Sequence, residues 1–294
     1  MKIAYIVHAY KLSSQFGKLI QALNGNDIYF FVHIDQRSDV AKFQHEVNIR
    51  EMKNVYFVKR EKSKWGSFSC VRGVLNALDE AISKVPEIEY FYFLSGQDYP
   101  IKSNKLIRDY LEKNRNYNFI LHFELPYKNW KAGGLHRITR NHFYISKNRI
   151  VRRLVNSINF FLPRRKIPLN IIPFGGDFYM GLNIEAVRCI FKLRSLHPEI
   201  DKFFEKVYIP EEIYFPTLIL NVKDLLNHEL QIENKTLTYS NWSWKYGSYP
   251  AILDLEDVKN KIDSEYLFIR KIDERVHPKL IEIIEKNRNF ISYS

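Results

Sequence analysis

Cysteine is almost missing from this sequence: Cys70 and Cys189 stand far apart in 294 residues. That pattern disfavours a disulfide framework and a cysteine-based zinc site, and it fits a reducing compartment. No run of roughly 18 apolar residues occurs, so no bilayer-spanning helix is expected. The first residues, MKIAYIVHAYK, hold a short apolar run broken by His8 and Lys11, which is not how a signal peptide reads. A cytoplasmic protein is the expectation, and the sequons at Asn234 and Asn241 then mean little. Acidic residues are in deficit, 33 against 45 Lys and Arg, for a formal net charge of +12. A surplus of that size points to a polyanionic partner, an anionic membrane surface or an anionic substrate, and says nothing about fold. P-loop, dinucleotide GxGxxG, HExxH and GxSxG motifs are all absent. So are zinc-finger and RNA-recognition signatures, and the basic residues are scattered rather than gathered in one arm.

What is present is material for a large core. Hydrophobic residues make up 46% of the chain, with 19 Tyr and 21 Phe, and nothing has the composition of a disordered segment. Neither an internal repeat nor a low-complexity linker appears, so a single domain is expected. Lys2–His8, Ile28–Ile34, Val55–Val58 and Tyr90–Leu94 are short apolar runs that read as buried strands. Helical spacing marks Gln15–Leu23, Ser67–Lys84 and Lys105–Lys113, and Phe119–Phe123 reads as one further strand. This alternation argues for an α/β fold with a mainly parallel sheet. In such sheets ligands bind beyond the carboxyl ends of strands. Asp35 and the loop SGQDYP, with Asp98, fall at such ends, although each residue is equally at home in a turn or cap.

The second half is less regular. Tyr127–Asn170 is rich in Lys, Arg, Asn and aromatics with weak periodicity. Within it, Ser146–Lys166 combines a basic face with Ile150, Leu154, Ile158, Phe161 and Leu162. It reads either as an amphipathic helix for an anionic membrane surface or as an ordinary surface helix. PFGGDFYMGL, Pro173–Leu182, places two glycines in an aromatic strand, where they permit a bend or a close approach of backbone to ligand. A helix follows near Ile184–Leu193. The tail Leu237–Val258 carries Trp242 and Trp244, whose faces suit sugar rings and nucleobases but fill cores equally well. Tyr266–Asp273 ends in adjacent cations, Arg270 and Lys271.

The stretch VYIPEEIYFPTLIL, Val207–Leu220, carries the plainest chemical signal. Pro210 reads as the first residue of a helix, with Glu211 and Glu212 in its first turn, where the dipole favours negative charge. Successive helical residues point about 100° apart, so only one of the pair faces a given cleft. A carboxylate held there is a good general base, although two glutamates also simply decorate helix starts. Pro216, inside the same expected helix, should kink or shorten it.

Taken in order, AYIVHAYK, FVHID, KWGSFSCVRG, FLSGQDYPIKS, FGGDFYMGL, IPEEIYFPTLIL and WSW…YPAILDLEDV…LFIRKID resemble the core-2/I-branching N-acetylglucosaminyltransferase family, which also contains the peptide O-xylosyltransferases. Each piece is short, but their order spans nearly the whole chain. The resemblance implies a GT-A-type, Rossmann-like fold and a metal-independent, inverting transfer from a UDP-sugar. It implies a nucleotide-binding half at about residues 1–125 and an acceptor-binding, catalytic half at about 126–294. The family's Pro-Asp-Glu motif supplies the catalytic base and corresponds to Pro210-Glu211-Glu212, which assigns the base to Glu212. On the donor side it implies His8, Asp35 in the uridine pocket, Trp65, Gly66, Ser95, Asp98 and the diphosphate-binding Lys271. On the acceptor side it implies Gly176, Asp177, Glu211, Trp242 and Trp244. An arginine that branching enzymes place on the diphosphate has no counterpart near Ser248 and Tyr249, and Lys245 and Arg270 are the candidates to replace it. No Asp-x-Asp triplet follows any strand, so Lys and Arg must meet the diphosphate charge without a metal ion.

The expected reaction is therefore a single displacement, most naturally of GlcNAc and alternatively of xylose, from a UDP-sugar to a glycan hydroxyl, with no cofactor. The missing cysteine patterns and anchor of animal Golgi members suggest a compact bacterial enzyme, placed in the cytoplasm or on the inner face of the membrane. Its acceptor is then expected to be lipid-linked, with peripheral contact to anionic lipid. The readings from other classes are a basic protein that binds nucleic acid or anionic lipid without catalysis, and a glycosyltransferase-like binding protein that has lost activity.

Overall fold

An unbroken apolar run makes a strand buried on both faces, and β1 (Ile3–Ala9) shows how. Ile3, Tyr5 and Val7 enter one core while Ala4 and Ile6 enter another on the opposite face. The structure is a computed structural model that describes residues 1–48, 51–143, 157 and 161–290. After β1 come α1 (Ser13–Leu23), β2 (Ile28–Ile34), α2 (Val40–Glu46), β3 (Val55–Phe57), α3 (Phe68–Lys84) and β4 (Tyr90–Ser95). α1 buries Phe16, Leu19, Ile20 and Leu23, and α3 buries Val71, Val74, Leu75 and Leu78, as their spacing requires. A short β5 (Tyr99–Pro100), α4 (Asn104–Lys113), β6 (Tyr117–Phe119), β7 (His122–Glu124) and α5 (Leu135–Thr139) follow. The remainder comprises β8 (Phe174–Gly176), β9 (Gly181–Asn183), α6 (Ile184–Leu196), α7 (Pro198–Phe204), α8 (Tyr214–Leu220) and α9 (Val222–Leu226). It ends with β10 (Gln231–Glu233), β11 (Thr238–Ser240), α10 (Leu255–Lys259), β12 (Phe268–Arg270) and α11 (Leu280–Phe290).

Seven strands form the central sheet in the order β10-β6-β9-β4-β1-β2-β3. Only β9 runs against its neighbours β4 and β6; the other pairings are parallel. The fold is thus α/β, with a mostly parallel sheet between helical layers. Chain order reverses at β1: β2 and β3 lie on one side, and α3 carries the chain back to β4 on the other. In such sheets the crevice that takes ligands lies at the carboxyl ends of the strands flanking the reversal, here β1 and β4. β9 and β10, from the second half of the chain, complete this sheet. A smaller sheet, β11-β12-β5, joins residues near 100 to residues near 270.

Three expectations change. Phe119–Phe123 is two strands in different sheets, because Ile120 N–H bonds to Glu233 O (3.0 Å) at the edge of the central sheet and the chain then turns away. Pro173–Leu182 likewise splits into β8 and β9, turned by Asp177, whose Oδ1 accepts from Tyr179 N–H (3.0 Å). Pro210–Glu212 is a separate 3-10 turn, and α8 begins only at Tyr214 after a break at Ile213 (φ −125°). Pro216 therefore sits in the first turn of α8, where an N–H has no intrahelical partner to lose. Most of the Ser146–Lys166 segment lies outside the described residues. Among the described residues, no helix is long and apolar enough to cross a membrane.

Gly176 belongs to the packing. A Cβ there would lie 2.0 Å from the carbonyl oxygen of Leu121, so β8 approaches the backbone beside β7 more closely than any side chain allows. Gly176→Ala should cost about 1–3 kcal/mol or more and lower Tm by several degrees in a thermal melt. An unchanged Tm would mean that the backbone there yields freely.

Candidate active site

At the crevice, β1 ends beside β2 and β4, with His8 in register with His33 on one side and Ser95 on the other. The rings of His8 and His33 lie 4.6 Å apart. Burial, then the charge of His33, lowers His8 to about 3, and burial lowers His33 to about 4. Both rings are neutral near pH 7. His33 Nε2 accepts from Glu61 N–H (2.8 Å). Asp35 follows β2 and accepts from Arg37 three times, from N–H (2.8 Å), Nε (2.9 Å) and Nη2 (2.7 Å). Burial raises its pKa, but Arg37 prevails and holds the carboxyl below the ordinary range. Trp65 is 71% exposed and stands edge-on to Tyr208 at 5.8 Å. Gly66, at φ +74°, offers its carbonyl to Ile209 N–H (2.8 Å).

The loop after β4 turns its carboxylate inward. Asp98 is fully buried and accepts from Ser95 N–H (2.6 Å), Ser95 Oγ (2.7 Å) and Arg270 Nε (3.3 Å). Burial raises it to about 6 against the pull of Arg270. The Arg270 guanidinium lies 4.4 Å from the Tyr179 ring centre. The next residue, Lys271, donates Nζ–H to Ser248 Oγ (3.2 Å). Burial, then the charges of Arg270 and Lys11, lowers it to about 8.

Across from these groups sits the Pro210–Glu212 turn. Glu212 Oε2 accepts from Arg137 Nη2 at 2.9 Å. Arg137 also donates from Nε to Tyr208 O (3.0 Å) and from Nη2 to Ile209 O (2.7 Å), and its guanidinium lies 4.1 Å from the Trp130 ring centre. Burial raises the pKa of Glu212, while Arg137 pulls it back in part. Asp177 is buried close enough to sense Glu212 and Arg270, and burial raises it to about 7. Glu212, Asp177, Arg270 and Asp98 thus form one electrostatic neighbourhood. It can hold a carboxylate as proton acceptor beside a cationic crevice.

Glu211 turns away from its neighbour. Its Oε2 is buried with no partner among the described residues, and its charge is felt by Cys70 on α3. Burial raises its pKa to about 8. Of the pair only Glu212 meets Arg137; the carboxyl of Glu211, expected on the acceptor side, is instead buried near α3. Trp242 and Trp244 are 56% and 74% exposed, and Trp242 packs 5.8 Å from Tyr249. Lys245 is committed elsewhere: Nζ pairs with Asp257 Oδ2 (2.9 Å) and with Asp254. Among the described residues no three His, Cys, Asp or Glu side chains group as a metal site would require. Sequence reasoning missed Arg137. Its partners lie 71 to 75 residues downstream, in a stretch without periodicity, and no local signal marks it.

The family model described as Core-2/I-Branching enzyme matches residues 3–262. Xylosyltransferase 2 of Homo sapiens is 26% identical over 308 residues, covering 97% of this chain and 33% of its own length. A xylosyltransferase of Ciona intestinalis is 23% identical over 306 residues, covering 97% and 34%. The chain spans about a third of the length of these curated relatives. Among solved structures, a 4-diphosphocytidyl-2C-methyl-D-erythritol synthase from Anaerococcus prevotii aligns with TM-score 0.38 and 8% identity. That alignment covers 79% of this chain and 85% of the other, a likeness too loose to build on.

Glu211 supplies a test of this geometry. Its folded pKa lies above its unfolded value, so its ionisation penalises the fold as pH rises through the window from about 4.3 to about 8. Glu211→Gln should raise Tm by several degrees at pH 8 and by much less at pH 5. Equal shifts at both pH values would show that the carboxyl is solvated.

Proposed function

The chain belongs to the Core-2/I-Branching enzyme family, and from that premise we propose that it is an inverting glycosyltransferase. A UDP-sugar is the donor and a glycan hydroxyl the acceptor. The observation that carries this reading is the Glu212 carboxylate held by the buried Arg137 beside Asp177 and Arg270. The acceptor oxygen attacks the anomeric carbon, the bond from that carbon to the phosphate oxygen breaks, and UDP departs with the electron pair. Glu212 takes the hydroxyl proton. Inversion turns an α-linked donor into a β-linkage. Lys271 stabilises the charge that develops on the leaving diphosphate.

Metal independence is part of the proposal, supported by the engagement of Asp98 with Arg270 and Ser95. The names of the curated relatives favour xylose, and the family description favours a branching sugar such as GlcNAc. Both donors belong in the first experiment. The exposed Trp242 and Trp244 suit a carbohydrate acceptor. A lipid-linked acceptor and contact with anionic lipid rest on the +12 net charge.

A thermal-shift panel of UDP, UDP-GlcNAc, UDP-xylose, UDP-glucose and UDP-galactose, each with EDTA and with Mn²⁺, tests the reading. Ligand at about 100 times its Kd adds roughly 2.7 kcal/mol, so a shift of several degrees is expected with UDP and one UDP-sugar, in EDTA as in Mn²⁺. No shift with any member would remove the donor assignment.

Glu212→Gln should lower kcat by about 10²–10⁴ while still binding UDP, and an unchanged kcat would eliminate Glu212 as base. Because burial raises its pKa, activity in the wild type should fall on acidification at a pH above the ordinary glutamate range. Arg137→Gln removes the charge that opposes this rise, so the acidic limb of the pH–rate profile should move to still higher pH. A limb that stays in place would show that Arg137 does not govern Glu212.

A further inference from the structure

The cations of the carboxyl-end crevice are not all closely paired. Around Lys271 stand Lys11, Arg270 and Arg275 with the carboxylates Asp98 and Asp273, and Asp177 and Glu212 also act on Arg270. Asp98 is taken by Arg270, whose side chain is itself buried. Asp273 is taken by Arg275, which donates to it from N–H (3.1 Å), Nε (3.0 Å) and Nη2 (2.8 Å). Lys11 therefore reaches Asp273 only loosely, at 3.7 Å. Lys271 has a neutral partner, Ser248 Oγ, whose own hydrogen is directed to Pro250 O (2.8 Å). The nearby Lys18 and Glu274 neutralise each other at 2.8 Å. Lys11 and Lys271 are thus the two ammonium groups left without a short ion pair of their own.

These lysines come from opposite ends of the chain and are brought together by one buried side chain. Gln15, wholly buried at the start of α1, donates Nε2–H to Gly96 O (3.0 Å) and to Ile272 O (3.1 Å), and its Oε1 accepts from Glu274 N–H (3.0 Å). It thereby joins the segment after β1, the loop after β4 and the segment after β12. Lys11 and Lys271 each feel the crevice, and the charge of Lys11 helps to lower Lys271. Holding two ammonium groups near each other is costly, and a bound anion relieves that cost.

We propose that Lys11 is a second ligand of the donor diphosphate, acting with Lys271 so that two ammonium groups meet its two phosphates. The inference rests on the donor reading above and adds to it a residue from the amino-terminal half. It also makes Lys11, rather than the committed Lys245 or the buried Arg270, the second cation on the leaving group.

Calorimetric titration of wild type, Lys11→Met and Lys11→Arg with uridine, UMP and UDP tests the assignment. Wild type should bind UDP more tightly than UMP, and UMP more tightly than uridine. Lys11→Met should lose roughly tenfold to hundredfold on UDP and keep its uridine affinity, while Lys11→Arg stays within a few-fold of wild type. The pH dependence of UDP binding gives a readout that a structural role would not move. Binding should weaken as pH rises through the Lys271 pKa, near 8 in the free protein, and in Lys11→Met that midpoint should shift upward. Should Lys11→Met prove unstable, inorganic pyrophosphate competing with UDP on wild type takes its place, and failure to compete would overturn the proposal. Wild-type UDP affinity retained in Lys11→Met would overturn the Lys11 assignment alone. UDP bound no better than uridine by wild type would overturn the donor reading with it.

Discussion

The structure depends on one constraint: charge buried at the carboxyl ends of β1, β2 and β4 must find a partner there, because water is not available to do it. The pairings meet it one by one. Asp35 has Arg37, Asp98 has Arg270, Asp273 has Arg275, and Glu212 has Arg137. Arginine is the partner each time: Arg37 and Arg275 grip both carboxylate oxygens through Nε and Nη2, while Arg270 and Arg137 give one bond each and lay their flat faces on Tyr179 and Trp130. Lysine is used differently. Lys11 and Lys271 are left with a loose or a neutral partner. The division separates carboxylates closely paired with arginine from two lysines without such a pair, and the proposed donor contacts use those lysines.

Much of the frame was legible because strands buried on both faces leave an unmistakable mark. β1, β2 and β4 needed nothing beyond their apolar runs, and α1 and α3 nothing beyond the spacing of their leucines and valines. The second half was harder for a physical reason. Its strands, β8 through β12, are three residues long, as are β6 and β7 just before them, and take their stability from where they dock rather than from their own pattern. Phe119–Phe123 is apolar enough for one strand, yet Ile120 bonds to Glu233, far along the chain, and the chain turns there. No periodicity within five residues encodes that pairing.

The candidate site divides along the same line. The positions of Asp35 and Asp98 at strand ends could be read from the sequence, because β2 and β4 are readable strands, while Lys271 was proposed only from a short motif. Arg137 was not, since its meaning lies entirely in Tyr208, Ile209 and Glu212. Lys245, a candidate diphosphate cation in the sequence, is in the fold the partner of Asp254 and Asp257, which cap α10. Whether a lysine is available to a ligand depends on what its neighbours in space already demand, and that information appears only when the chain closes.

The backbone at Ile209 ties these threads together. A β-branched residue at φ 50° is a steric outlier that costs of order 1–3 kcal/mol. It persists because both of its peptide groups are held: its N–H by Gly66 O and its carbonyl by Arg137. The left-handed residue breaks the chain direction just before Pro210, and the following turn is a tight 3-10 one rather than the start of α8. Successive side chains in such a turn point about 120° apart. Glu211 therefore goes under α3 beside Cys70, where burial keeps it protonated near pH 7, while Glu212 goes to Arg137. Adjacent glutamates of one motif thus reach different surroundings, one without a partner and one beside a guanidinium, and a single strained residue, clamped by the same arginine that serves the carboxylate, sets them apart.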